Sequence, residues 1–279
     1  MGSNPEVKPE RSRSFTAGFE VEPSLLPGLH AGATYYAIRF TNRIALPSEF
    51  INIIGDPAFA PIVSLNPGLG DVTHLLDGAF QIVDASGPNF TNGHATPADV
   101  IAIVDARTTN SAATRTSGLD LSLDYGFELG SDRFNVELNG NKVFRFDNEL
   151  TSASPWVHAL NTPFNPVSWR ARAGLSWQRR ALSAFAFLNY TGSYRDNRGT
   201  RDLPVSSWTT VDAGIAFDGT ALQTRWSKGL HLALNVQNLL DADPPKLLPA
   251  PGFHDDVGYD PVNATGRGRT ITIQLRRSW

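Results

Sequence analysis

The sequence contains no cysteine in 279 residues. Disulfide scaffolds, thiolate metal centres and cysteine nucleophiles are therefore excluded. No apolar run approaches the roughly 18 residues that a membrane-spanning helix needs. The opening, MGSNPEVKPERSRS, has no apolar stretch to serve as a signal-peptide core, as expected of a chain that is not exported or of a fragment. There is no basic excess either. Lys+Arg number 24 against 27 Asp+Glu, a net charge of -3. Phosphate binding wants a basic surface, so nucleic acid is not the expected partner. Gly-x-Ser-x-Gly and Gly-rich phosphate loops are also missing. Charge is sparse at 18%, but 41% of residues are hydrophobic, so the chain does not have a disordered composition. Its 24 Gly and 19 Pro point to many turns.

What is present is two-residue alternation. In SGLDLSLDYGFEL, Leu119, Leu121, Leu123, Tyr125, Phe127 and Leu129 share one face, and Asp120, Ser122, Asp124, Gly126 and Glu128 share the other. VSWRARAGLSWQ sets Val167, Trp169, Ala171, Ala173, Leu175 and Trp177 against Arg170, Arg172 and small or polar residues. LHLALNVQ and TTVDAGIAF repeat the pattern. Such alternation means strands with one apolar face. The runs are long for soluble strands, whose mode is about 5–6 residues, and match the roughly 9–11 residues of a tilted transmembrane strand.

The reading places strands at 13–22, 29–44, 100–129, 133–146, 167–178, 181–195, 207–218, 230–240 and 265–279, with a helical piece around DVTHLLDGAF. The span 181–195 fits worst, because Phe185 and Phe187 fall out of phase with Ala184, Ala186, Leu188 and Tyr190. A soluble sandwich would alternate in the same way, but the connections argue otherwise. Turns are short at 23–28, 130–132 and 179–180, and Pro/Asn/Gly-rich loops are long at 45–99, 147–166, 196–206 and 241–264. Short turns on one side and long loops on the other describe an outer-membrane barrel. Tyr125, Phe127, Phe134, Trp177, Phe217 and Trp279 gather at the short-turn ends, where an interfacial girdle would lie.

Four segments resemble the barrels of TonB-dependent outer-membrane receptors. NPEVKPERSRSFTAGFEVEP with the following hairpin is similar to that family's Asn-Pro-x-x-Lys-Pro-Glu segment. RTSGLDLSLDYGF, LNVQNLLDADPP and GYDPVNATGRGRTITIQLRRSW resemble three later elements in the right order. The resemblance implies an all-β fold: an antiparallel transmembrane β-barrel segment of about nine meander strands. It further implies that 1–279 is the C-terminal portion of such a barrel, with 1–12 a leading segment and 45–99 a long extracellular loop. Plug domain and signal peptide would be missing. An odd strand count cannot close antiparallel, so an open sheet or incomplete barrel is expected, not transport-competent alone. The function implied is energised uptake of siderophores, corrinoids or oligosaccharides in the bacterial outer membrane, with no enzyme activity and no cofactor. Implied partners are outer-membrane lipid, the assembly machinery, the plug domain, TonB through it, and a small-molecule ligand. Ile271, Ile273, Leu275 and Trp279 resemble the terminal strand signal read at assembly. Arg277 stands at a lipid-phase position in that alternation.

Lumen-facing candidates are Glu20, Glu22, Asp120, Asp124, Glu128, Glu137, Arg170 and Arg172, either as passage lining or as cross-strand ion pairs on a polar wall. His254, Asp255, Asp256 and Asp260 cluster in a loop, but their spacing matches no Ca²⁺ loop, and no histidine spacing suits zinc. Two other functions stay open: an autonomous small barrel acting as a porin-like channel or membrane-embedded hydrolase, and a soluble carbohydrate-binding β-sandwich.

Overall fold

The computed structural model describes residues 5–45, 54, 57–77, 98, 100–105, 107–222, 224, 227–249 and 257–278. Fourteen strands are described. They are β1 (Arg11–Val21), β2 (Leu29–Ala45), β3 (Val63–Leu65), β4 (Ala102–Val104), β5 (Thr109–Leu129), β6 (Asp132–Glu149), β7 (Val157–His158), β8 (Trp169–Arg179), β9 (Leu182–Thr191), β10 (Tyr194–Asp196), β11 (Leu203–Val205), β12 (Trp208–Asp218), β13 (Leu230–Gln237) and β14 (Thr270–Arg277). One α-helix is seen among the described residues, α1 (Leu69–Asp77), and it falls where the sequence places a helical piece. No helix among the described residues is long and apolar enough to cross a membrane, which says nothing of strands.

The main sheet runs in the order β1-β2-β5-β6-β8-β9-β12-β13-β14, with β7 beside β6. Strands adjacent on this path follow one another in sequence apart from the short strands between them. This is the nine-strand meander expected, with β1 and β14 at its edges. Among the described residues no ladder joins those two edges, so the sheet does not close on itself.

Chain segments Met1–Ser12, Phe40–Thr114 and Asn148–Val157 form one compact unit, and the remainder forms a second. In the first, β3 pairs antiparallel with β4 (Val63↔Val104), and Phe59 and Val72 are buried. Asn110 ties three backbone groups together. Its amide donates to Lys8 O and Asn42 O, and its carbonyl accepts from Lys8 N. The sequence reading ran one strand through 100–129. The structure breaks it into β4 and β5, because Asp105 Oδ1 accepts from both the backbone N–H and the Nε of Arg107. That local turn competes with strand continuation.

In the second unit the register sorts side chains into rows. Phe134↔Trp177↔Ala184↔Ile215↔Leu234↔Ile273 is an apolar row across β6, β8, β9, β12, β13 and β14. One residue over lies Asn135↔Ser176↔Phe185↔Gly214↔Asn235↔Thr272, a row on the polar face. The out-of-phase phenylalanines are thereby explained. Phe187 pairs with Gly174 and Phe185 with Gly214, and each ring fills the space that a missing side chain leaves on the polar face. A Cβ on Gly174 would come within 2.5 Å of Phe187 Cε1, and one on Gly214 within 2.5 Å of Phe185 Cε1. Cross-strand aromatic–glycine pairs of this kind fix register.

Two-residue turns join β5 to β6 and β8 to β9. Their first positions are left-handed, Gly130 at φ 63° and Arg180 at φ 48°. Strand β13 stops at Gln237 rather than 240, because Asn238 adopts φ 49° and exchanges bonds with Ala242 through both ends of its amide. At the short-turn end Tyr125, Phe127 and Phe134 stack in series, with centroids 5.2 and 5.3 Å apart, and Trp177 Nε1 donates to Asp132.

Gly174→Ala should destabilise the sheet by about 1–3 kcal/mol through overpacking. Adding Phe187→Ala should restore part of that loss. Urea unfolding followed by tryptophan fluorescence measures both, and an additive double variant would contradict the glycine-slot account.

Candidate functional site

The polar face carries a mesh of paired amides and carboxylates. Asn141 donates to Asp120 Oδ1 at 2.6 Å, Asn135 to Asp124 Oδ2 at 2.8 Å, and Asn189 to Asp212 Oδ2 at 2.9 Å. Asn189 also accepts from Arg172 Nη1 at 3.1 Å. Arg172 lies over the Phe187 ring, 3.9 Å from its centroid, and its Nε is 3.9 Å from Glu137. Desolvated charges need such partners, but at these exposures each pair contributes little by itself. The structure brings Asp120, Arg170 and Arg172 around one concave region of about 550 Å³, with Glu20, Asn141 and Asn189 also on its lining. Asp124 and Glu137 line a second concavity beside Glu20 and Glu22. Glu128 sits apart at the short-turn end, paired with Arg133 at 2.9 Å.

At the long-loop end, three connections lock together. Val167, Tyr194, Val205 and Leu247 form a small buried cluster. Beside it Asp260, only 1% exposed, accepts from the backbone N–H groups of Phe164 and Val262 and from Asn263 Nδ2. Phe164 is held at φ 63°, a strained conformation for a bulky residue. Its bond to Asp260 restrains it there. Asn263 also donates to Asn165 O and accepts from Arg170 Nη2 at 2.6 Å, and Arg170 donates to Val262 O as well. Arg170 therefore couples the polar face to the loops. Burial, reinforced by the Asp260 carboxylate, pushes the Tyr194 phenol above its usual range. Asp196 and Arg198, whose side chains are 8% and 6% exposed, form a second buried pair at 3.0 Å. The Arg198 hydrogen bond holds Asp196 below the usual carboxylate range.

No group of metal-ligating residues forms among the described residues. Of the acidic loop cluster, His254, Asp255 and Asp256 lie outside the described residues, and Asp260 is a structural acceptor. Ile271, Ile273 and Leu275 fall on the apolar face of β14, and Trp279 lies outside the described residues.

The family described as "TonB dependent receptor-like, beta-barrel" matches residues 1–239. The chain belongs to that family. No curated protein matches it by sequence. Among solved structures, the fold resembles the ferric enterobactin receptor PfeA from Pseudomonas aeruginosa in complex with enterobactin. Identity there is 20% and the TM-score 0.57, over 97% of this chain and 32% of that one. The outer membrane transporter YddB from Escherichia coli matches at 11% identity and TM-score 0.58, over 99% of this chain and 34% of that one. The ferripyoverdine receptor of Pseudomonas aeruginosa matches at 11% and 0.53, covering 97% and 27%. The chain thus spans about a third of these structures' length. As a TonB-dependent receptor barrel, it is a protein of the outer membrane.

The carboxylates and arginines of this receptor barrel were visible in the sequence, but their partners were not. Asn141, Asn189, Asp212 and Asn263 became significant only once register was known. The sequence groups Asp260 with His254, Asp255 and Asp256, and its bonds to Phe164 and Asn263 are visible only in the structure.

Asp260→Ala should leave the sheet folded while raising hydrogen exchange at Phe164 and Val262, since these part-buried backbone donors lose a charged acceptor, a bond worth about 1.5–3 kcal/mol. Unchanged exchange there would contradict the clasp. A carboxylate with a depressed folded-state pKa stabilises above its unfolded value and loses that effect as pH falls. Acidification from neutral pH through the carboxylate range should therefore loosen the Asp196–Arg198 loop. Asp196→Asn should abolish that acid step in proteolysis of residues 196–206.

Proposed function

We propose that the chain forms the C-terminal portion of the barrel of a receptor for energised uptake across the outer membrane. Its apolar face meets lipid and its polar face borders the passage. The single observation that carries this is a continuous apolar face left uncovered across the sheet. Leu121, Trp169, Leu232 and Ile273 are 36%, 40%, 42% and 78% exposed, and their neighbours Asp120, Arg170, His231 and Thr272 alternate onto the opposite face. A soluble sandwich would cover that face with a second sheet, and none does so among the described residues. A closed porin-like barrel would pair β1 with β14.

Asp120, Arg170 and Arg172 are the residues assigned to the passage wall. Asp124 and Glu128 are placed nearer its short-turn end. In a complete receptor this wall would contact a plug domain and, through it, TonB. The motif of Ile271, Ile273, Leu275 and Trp279 is assigned to recognition by the outer-membrane assembly machinery. Siderophores head the ligand classes, ahead of corrinoids and oligosaccharides, because two of the similar structures are receptors for ferric enterobactin and ferripyoverdine.

Two experiments test this. In the full-length polypeptide carrying Trp169 as its sole tryptophan, acyl-brominated phospholipid should quench fluorescence strongly. Quenching no greater than with unbrominated lipid would exclude a lipid-facing Trp169. Cells deleted for the gene should lose TonB-dependent uptake of at least one iron-loaded siderophore from a panel. Unaltered uptake throughout would exclude siderophore transport.

A further inference from the structure

The concavity of about 550 Å³ on the polar face has two unlike sides. Arg170 and Arg172 stand two residues apart on the same face of β8, about 7 Å from each other along the strand. Asp120 and Glu20 lie on β5 and β1, two and four strands away along the sheet. Asn141 separates Asp120 from Arg170: it pairs with Arg170 and donates to Asp120 Oδ1 at 2.6 Å. Other polar-face residues on the lining are small and neutral, Thr34, Ser122 and Asn139 among them. Tyr190, the one ring at the border among the described residues, pairs with Ala171 on the apolar face. Neither guanidinium makes a hydrogen bond to a carboxylate among the described residues. Arg170 donates through Nη2 to Val262 O and Asn263 Oδ1, and Arg172 through Nη1 to Asn189 Oδ1. Glu137 stays 3.9 Å from Arg172 Nε. Each Asn in turn donates through Nδ2 to a carboxylate further back, Asn263 to Asp260 and Asn189 to Asp212. The negative charges are held one residue behind the arginines rather than against them. Arg170 Nε and Nη1 and Arg172 Nη2 therefore have no acceptor among the described residues, and both side chains are exposed.

We propose that this concavity binds a polycarboxylate, with two of its acid groups on Arg170 and Arg172 and a neutral part toward Asp120 and Glu20. The inference rests on the reading of the polar face as the border of the passage, and it selects carboxylate chelates among the ligands considered above. The planar fork of a guanidinium fits a carboxylate through paired donors. Two such forks on one strand fit two acid groups of one molecule. The acids on β5 and β1 confine the ligand's negative charge to the β8 side. A neutral oligosaccharide leaves both guanidiniums unmatched. An anion built from aromatic phenolates finds no open ring to stack on, because Phe187 already lies beneath Arg172 at 3.9 Å.

Isothermal titration calorimetry of the full-length polypeptide in neutral detergent tests the site, with propane-1,2,3-tricarboxylate as the probe and its trimethyl ester as the neutral control. The wild type should bind the acid at least about tenfold more tightly than the ester, and more weakly as salt rises. Arg172→Gln leaves the bonds of Arg170 to 262–263 in place and should weaken the acid about tenfold or more, the loss of one charged hydrogen bond. Asp120→Asn removes a negative charge across the concavity while keeping an acceptor for Asn141, and should tighten the acid about threefold. A misfolded variant cannot give that gain. An ester bound as tightly as the acid, an unweakened Arg172→Gln variant, or a weakened Asp120→Asn variant would overturn the site. If the site fails while cells deleted for the gene lose uptake of an iron-loaded siderophore, only the ligand assignment is wrong. If uptake is unaltered as well, the siderophore-transport reading fails with it.

Discussion

A strand that lies in hydrocarbon has no water to satisfy its N–H and C=O groups, so every one must bond to a neighbouring strand. That requirement accounts for the long unbroken ladders here. β8 pairs with β6 over ten successive residues and with β9 over ten more. Side chains supplement these ladders. They decide which face each residue occupies, because a slip of one position would invert every row. The apolar row from Phe134 to Ile273 and the polar row beside it record one register carried across six strands.

Register is secured on the polar face by shape as well as by charge. Gly174 and Gly214 leave room for Phe187 and Phe185, and Tyr36 lies over Gly118 in the same manner. Arg172 then covers Phe187. An aromatic ring on a polar wall would be poorly placed alone, but between a glycine and a guanidinium it is packed on both sides. The same arginine reaches Asn189, so the aromatic slot and the amide–carboxylate mesh are one structure.

The long connections are not loose ends of this sheet. Asp260, Asn263 and Arg170 link the segment 160–167 to the segment 260–263, and Val167, Tyr194, Val205 and Leu247 supply a small core beneath. Buried polar groups of this kind are costly unless all are satisfied, and no buried side-chain polar atom lacks a partner among the described residues. Arg170 belongs to both the wall and the clasp, so a change in either would be felt by the other.

Period-two patterning, turn residues and loop lengths were enough to determine the strand class, the meander order and the sorting of Leu121, Trp169 and Ile273 away from Asp120 and Arg170. Those features are local: alternation follows from the pleat, and a turn follows from two or three residues. The sequence alone could not place Phe185 and Phe187, because their partners Gly174 and Gly214 lie on other strands. Nor could it recognise Asp260 as the acceptor for Phe164, which stands nearly a hundred residues earlier. Register and loop closure are long-range properties, set by which strand lies beside which. Only the tertiary structure could decide them.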